Sequence, residues 1–379
     1  MIDSDPRGLE TVTVVVPTYR RPDALRRTLD SLLALDFPPE RYEVVIVDDL
    51  AGDDATAEVV RSRQQGRVRL QLSLGKRRGA AAARNAGARV ADGELLLFCD
   101  DDMLVEPSHL RLHLEARSAH DDPLVAGVLD FPAELRSALE RTPFGRYRLQ
   151  LAQRFEADAD GSWLGQDRYS AAFLSACNLA VRRELFWQIG GFDETFPYAG
   201  AEDQDLSLRA REAGCPLIRD HRIRVLNNEQ IITFRQFCMR EERSAHTAVP
   251  LVRKFPDQAA RLAIFTENRP IASSDNPRLA LKKALKLALS RRPVLATFHR
   301  VIEMLERVPP AVSLLPRVYR AAIGLHIFRG VRAGIRRGRD SSGRRAEGGA
   351  EVLPEVDETL TPAAEDREGY GESVQGKQE

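Results

Sequence analysis

The sequence predicts an α/β fold, a mostly parallel sheet flanked by helices with a C-terminal helical extension, and three observations carry that prediction. From residue 11 to about residue 228, short apolar runs alternate with helical patterns, which is how a parallel sheet covered on both faces reads. The runs at 12–16, 44–47 and 95–99 are nearly continuously apolar, as strands buried on both faces are. From about residue 230 to residue 339 the pattern becomes helical and increasingly basic.

In chain order, Val12-Thr13-Val14-Val15-Val16 is a strand stopped by Pro17, and Arg21-Pro22-Asp23 opens a helix with Leu25, Leu29, Leu32 and Leu33 on one face. Strand 44–47, helix 55–63, strand 68–74, helix 80–90 and strand 95–99 follow. A short amphipathic helix begins near Leu206 and is closed by Gly214. In the extension, Leu279 to Leu289 sets lysines on one side and leucines on the other, and 318–335 is arginine-rich. Such helices lie on an anionic membrane, or cover a core with their charges solvated. The expected organisation is a tail at 1–10, an α/β domain at 11–245, a basic helical extension at 246–339 and a disordered acidic tail at 340–379.

The 379 residues, 43% of them hydrophobic, suffice for one large domain or about two. Basic and acidic residues balance at 56 each, which excludes a generic polyanion binder and argues against a nucleic-acid partner. Cys99, Cys177, Cys215 and Cys238 have no paired ligand spacing, which argues against zinc or disulfides and fits a reducing cytosol. There is no secretory-signal pattern and no run of ~18 apolar residues. The expected location is cytoplasmic, with membrane contact only at a surface through residues 278–339.

Ligands of parallel sheets bind beyond the carboxyl ends of the strands, so the polar residues following each strand are the candidate site. Pro17-Thr18-Tyr19-Arg20 offers backbone amides, a ring and a guanidinium for a base and phosphate, or is an ordinary turn. Asp48-Asp49 accepts from a base or ribose, or caps a helix. The helix 79–87 is so poor in side-chain bulk that something must approach it closely, with Arg84 as a diphosphate clamp. Asp100-Asp101-Asp102 suits a divalent metal with phosphate oxygens, or supplies a single helix cap. Glu202-Asp203-Gln204-Asp205 is a second carboxylate group, preceded by Gly190-Gly191-Phe192, a turn able to form a pocket floor. No Walker loop and no Gly-x-Gly-x-x-Gly follows any strand, which sets aside kinases, ATPases and dehydrogenases.

In order along the chain, Val14-Val15-Val16-Pro17-Thr18-Tyr19-Arg20, Val45-Ile46-Val47-Asp48-Asp49, Ala83-Arg84-Asn85-Ala86-Gly87, Phe98-Cys99-Asp100-Asp101-Asp102, Gly190-Gly191-Phe192-Asp193-Glu194 and Glu202-Asp203-Gln204-Asp205-Leu206 resemble the motifs of family 2 glycosyltransferases of the Rossmann-like GT-A fold. The resemblance covers about residues 11–245. It implies inverting transfer from a nucleoside-diphosphate sugar, a UDP-sugar first, to a glycan, lipid or small-molecule hydroxyl, with Mn²⁺ or Mg²⁺ at the Asp-x-Asp element. It also implies a place in cell-envelope polysaccharide synthesis. By resemblance, Thr18, Tyr19, Asp48 or Asp49 and Arg84 hold the nucleotide, with Pro17, Arg20 and Asp101 beside them. Asp100 faces the ribose or sugar and shares the metal with Asp102, and Asp203 is the general base with Glu202 at the acceptor or supporting Asp203. Asn178, Gly191, Phe192, Trp163 and Tyr169 are expected at the acceptor; Arg240 or Arg243 reaches the diphosphate when a loop closes, or both are solvated arginines of an ordinary helix. Where relatives carry a histidine ligand this chain has Asn227, with His221 the nearest histidine. A nucleotidyltransferase and an inactive nucleotide-sugar-binding protein are the alternatives.

Overall fold

β1 (Val12–Thr18), α1 (Pro22–Leu33), β2 (Tyr42–Asp48), α2 (Asp54–Arg61), β3 (Arg69–Leu74), α3 (Ala80–Val90) and β4 (Leu95–Cys99) follow one another as the alternation predicts. The four strands lie in the order β3-β2-β1-β4 and pair in parallel. Successive strand residues serve opposite cores: Val12, Val14, Val16 and Ile46 pack with Leu25, Leu29 and Val59 of α1 and α2, while Val15, Val45 and Val47 pack with Ala81 and Ala88 of α3. This computed structural model describes residues 10–119, 122–158, 160–196, 198–229, 232–259, 267–308 and 314–342. The expected tails before residue 10 and after residue 342 lie outside the described residues.

What approaches the small residues of α3 closely is the sheet. A Cβ on Gly87 would stand 2.4 Å from Val15 Cγ1 and 3.0 Å from Val47 Cγ2. The helix lies so close to β1 and β2 that bulk at this position would overpack the core.

β5 (Met103–Val105), α4 (His109–Ser118), β6 (Leu124–Asp130), α5 (Ala133–Glu140), α6 (Pro143–Asp158), β7 (Asp160–Gly165), β8 (Arg168–Ala171), β9 (Asn178–Arg182), α7 (Arg183–Gln188), α8 (Glu202–Glu212) and β10 (Leu217–Asn227) complete the domain. The full order is β3-β2-β1-β4-β9-β6-β10-β8-β7, with β5 on β10. β9 runs antiparallel to both β4 and β6, so the sheet is parallel in its first half and mixed beyond it. That reversal sets Asn178 opposite Cys99, next to the carboxylate triplet.

The extension comprises α9 (Phe234–Lys254), α10 (Pro256–Ala259), α11 (Pro277–Leu289), α12 (Arg292–Leu305) and α13 (Leu315–Ser342). A capping box starts α9: Thr233 Oγ1 accepts from Gln236 N at 3.2 Å, and Gln236 Oε1 accepts from Thr233 N at 2.8 Å. α9 passes through position 245 unbroken, so the boundary expected there falls inside a helix. Phe144 and Tyr147 of α6 share a core with Phe234, Phe237, Ile302 and Tyr319, which joins extension and sheet domain.

α11 faces opposite to a core-covering helix with solvated lysines. Lys283 is buried against Asp275 at 2.7 Å, whereas Leu281 and Leu285 are 72% and 57% exposed. No helix among the described residues is long and apolar enough to cross a membrane.

Candidate active site at the carboxyl ends of the strands

Three loops at one end of the parallel strands hold non-glycine residues in left-handed backbone: Arg20 (φ +52°), Ala51 (φ +64°) and Arg77 (φ +53°). Each such residue costs roughly 1–2 kcal/mol, and such strain gathers at functional sites. Asp48 organises the second loop, its carboxylate accepting from the amides of Leu50, Gly52 and Asp53 at 3.0, 2.8 and 2.8 Å. Asp49 ties down the third loop by accepting from Gly79 N at 2.9 Å and Arg78 N at 3.3 Å. Only glycine fits beside it, because a Cβ on Gly75 would come within 2.6 Å of Asp49 Cα. Both acids are buried and committed to backbone amides. Tyr19 and Arg20 form an exposed ledge, the guanidinium 5.6 Å from the ring, and Pro17 sits within β1 opposite Val47.

The three adjacent aspartates point three ways. Asp101 is buried, accepting from Thr18 Oγ1 and from Arg21 Nη1, each at 2.7 Å, while its carbonyl takes the Thr28 hydroxyl at 2.7 Å. Burial outweighs the Arg21 charge and pushes its carboxyl up to about 7. Thr18 and Asp101, expected at the nucleotide, are thus spent on one another. Asp102 accepts from Arg21 Nη2 at 2.7 Å, and burial raises its pKa as well. Asp100, the most open side chain of the three, meets Arg84 Nη2 at 2.7 Å.

Arg21 is the residue that sequence reading missed. It stands at the N-cap of α1 with no capping side chain, and a cation there opposes the helix dipole. That mismatch was the available signal for an acidic partner.

Arg84 joins the two carboxylate groups. It reaches from α3 to Asp100 at 2.7 Å and to Glu202 Oε1 at 3.0 Å, buried beneath both and lying 5.4 Å over the Phe192 ring. Glu202 Oε2 accepts from Gly200 N at 2.7 Å, so both of its oxygens are taken. Asp203 is half-buried, with its carboxylate accepting from Gln204 N at 2.8 Å and from the amide of Ala176. Loss of water and then the Glu202 charge raise its pKa, against the lowering effect of Arg84. Asn85 grips the floor from below, donating to Phe192 O at 2.8 Å and accepting from Phe192 N at 2.9 Å. Gly191 is at φ +64°, and a Cβ there would stand 3.0 Å from Asn85 Oδ1. Phe192 is buried edge-on to Phe98 at 5.0 Å beneath Arg84, and Gly191 is buried against Asn85, so neither is an open surface.

Other expected residues separate. Asn227 at the end of β10 pairs with Met103, and the adjacent Asn228 N donates to Asp102 O at 2.7 Å, which keeps Asn227 beside the triplet. Its Oδ1 accepts from Glu229 N at 2.8 Å. His221 lies six residues back along β10, on the order of 20 Å away, stacked on Tyr169 at 4.7 Å. That excludes it as a metal ligand with Asp102. Trp163 is exposed on β7 opposite Tyr169, and Asn178 is buried with Oδ1 2.8 Å from His113 Nε2. Arg240 pairs with Glu229 at 2.7 Å and Arg243 is exposed on α9.

Among the described residues, the cations paired with Asp100, Asp101, Asp102 and Glu202 are the guanidinium groups of Arg21 and Arg84, and Asp203 adds a further carboxylate beside them. Such surplus negative charge on hard oxygen donors fits Mg²⁺ or Mn²⁺.

This architecture is the GT-A fold. Residues 13–190 match the model described as Glycosyl transferase family 2, and residues 164–230 match the one described as N-terminal domain of galactosyltransferase. The chain is 32% identical over 236 residues to the Validoxylamine A glucosyltransferase of Streptomyces hygroscopicus subsp. limoneus, covering 54% of this chain and 49% of that protein. It is 29% identical to the O-antigen biosynthesis protein RfbC of Myxococcus xanthus, covering 59% of this chain and 18% of that protein. It thus spans about half the length of the first curated relatives it matches. The mannosyltransferase PcManGT from Pyrobaculum calidifontis, solved in complex with GDP-Man and Mn²⁺, aligns with a TM-score of 0.55 at 20% identity over 86% of this chain and 89% of that one.

Proposed function

We propose that this chain is a family 2 glycosyltransferase that moves a sugar, with inversion, from a nucleoside-diphosphate sugar to an acceptor hydroxyl. The observation that carries the reading is the Arg84 bridge, which holds the Asp100 group and the Glu202-Asp203 group around one centre. Asp203 takes the acceptor proton as the new bond to the sugar carbon forms on the face opposite the departing diphosphate. Its raised pKa suits a base working near neutrality. Glu202 acts through Arg84, and Tyr19 and Arg20 offer the open ledge for the base and diphosphate. Asp102 and Asp100 would hold a divalent ion, which supplies positive charge to the leaving diphosphate when bound. The match to glycosyltransferase relatives favours this over nucleotidyl transfer, and release of nucleoside diphosphate instead of pyrophosphate separates the two.

Asp102→Ala is expected to abolish the Mn²⁺-dependent part of UDP binding in calorimetry. Equal affinity with and without Mn²⁺ in the wild-type chain would remove the metal from the reading. If GDP binds where UDP does not, the base changes and the class stands.

The partner surface we propose for α11 is an anionic membrane. Leu281, Leu285 and Leu289 face outward, and no acidic residue occurs from Asn276 to Ile302, where Arg278, Arg291 and Arg292 are exposed. An apolar stripe rimmed by cations suits an anionic lipid surface. Leu281→Asp with Leu285→Asp is expected to release the chain from phosphatidylglycerol vesicles in sedimentation. Undiminished sedimentation would rule the surface out.

A further inference from the structure

Cysteine spacing along the chain argues against zinc, yet folding assembles a soft donor set that no spacing rule covers. Cys238 of α9, His299 of α12 and His326 of α13 are all buried, and their ligating atoms lie within 4.8 Å of one another. The two imidazoles face each other Nε2 to Nε2 at 3.0 Å. On the far side of His326, Nδ1 meets Glu242 Oε2 at 2.7 Å, and Glu242 is itself held by Arg329 Nε at 3.0 Å. That carboxylate keeps the His326 proton on Nδ1 and turns an Nε2 lone pair toward His299 and Cys238. A carboxylate–histidine pair of this kind is the usual second shell of a zinc ligand.

We propose that Cys238, His299 and His326 form a structural Zn²⁺ site that clamps α9, α12 and α13 together, separate from the carboxylate centre. The donor chemistry is borderline-soft, one sulfur and two imidazole nitrogens, which selects zinc over Mg²⁺ or Mn²⁺. Two nitrogens on one tetrahedral zinc stand about 3.3 Å apart, so the imidazoles need to open by only a few tenths of an ångström while the thiol draws in. Both rings would ligate as neutral imidazoles. Cys238 would ligate as the thiolate, so binding releases its thiol proton. Glu242 is the positioning residue.

The test uses the full-length chain, purified without chelator and analysed for zinc, then stripped and titrated with Co²⁺. The expected result is about one zinc per chain and a thiolate-to-cobalt charge-transfer band. The band should vanish in Cys238→Ser and persist in Asp102→Ala, which separates this site from the carboxylates. Zinc should raise the melting temperature of the wild-type chain and leave His299→Gln unmoved, a variant that keeps a polar partner for His326. A zinc content equal to that of Cys238→Ser, or cobalt bound without a thiolate band, would overturn the site and leave the pair as a histidine–histidine hydrogen bond.

Discussion

Asp203→Asn is expected to slow sugar transfer by about 10²–10⁴-fold, the usual worth of a positioned base, while nucleoside diphosphate affinity stays within about twofold. The amide keeps the shape and the bond from Gln204 N but cannot take a proton. The pH profile gives an independent check. Burial and the Glu202 charge raise the Asp203 pKa, so kcat/KM should fall on the acid side at a pH above the ordinary carboxylate value of about 4. Glu202→Gln removes a like charge and should move that limb to lower pH. Equal activity of Asp203→Asn and wild type would end the general-base role. A limb unmoved by Glu202→Gln would show that the two carboxylates are not coupled.

Arg84→Ala is expected to destabilise the fold by about 3–5 kcal/mol, the cost of removing one partner from a buried ion pair. Arg84 and Glu202 are both nearly solvent-free, their side chains 5% and 4% exposed, and the truncation leaves the Glu202 charge without its cation. The measurement is the urea midpoint at pH 7. Adding Glu202→Gln to Arg84→Ala should restore part of the loss, because the orphaned charge is then gone. Arg84→Lys should rescue poorly, since one ammonium cannot span Asp100 and Glu202 as the forked guanidinium does. Any folded Arg84→Ala protein should have its acid limb displaced upward, because Arg84 lowers the Asp203 pKa. A midpoint change below about 1 kcal/mol would mean that water replaces the bridge.

Where periodicity acts locally, the structure follows the sequence closely. The continuous apolar runs became β1, β2 and β4, buried on both faces, and the residues after each strand came to one edge because parallel strands share a direction. The reversal of β9 was not legible: its Leu-Ala-Val core reads the same in either direction. Bulk-poor α3 was legible as a close approach but not for its partner, since Gly87 meets Val15 across 72 positions of sequence. The orientation of α11 was equally hidden, because lysine and leucine faces alternate identically whichever is buried, and Asp275 decided it by drawing Lys283 inward.

The sequence by itself determined which chemistry is present: carboxylates after the fourth strand and before α8, a small-residue helix carrying Arg84, and a strand-helix order that places them at one edge. Only the tertiary structure decided their division of labour. Asp101 was turned to Thr18 and Arg21, Asp100 and Glu202 were joined through Arg84, and His221 was set far from Asp102. The physical reason is that a buried charge must find an opposite charge or a donor wherever the fold supplies one. Those partners lie 80 residues away for Asp101 and 118 for Glu202, far beyond the reach of any local pattern.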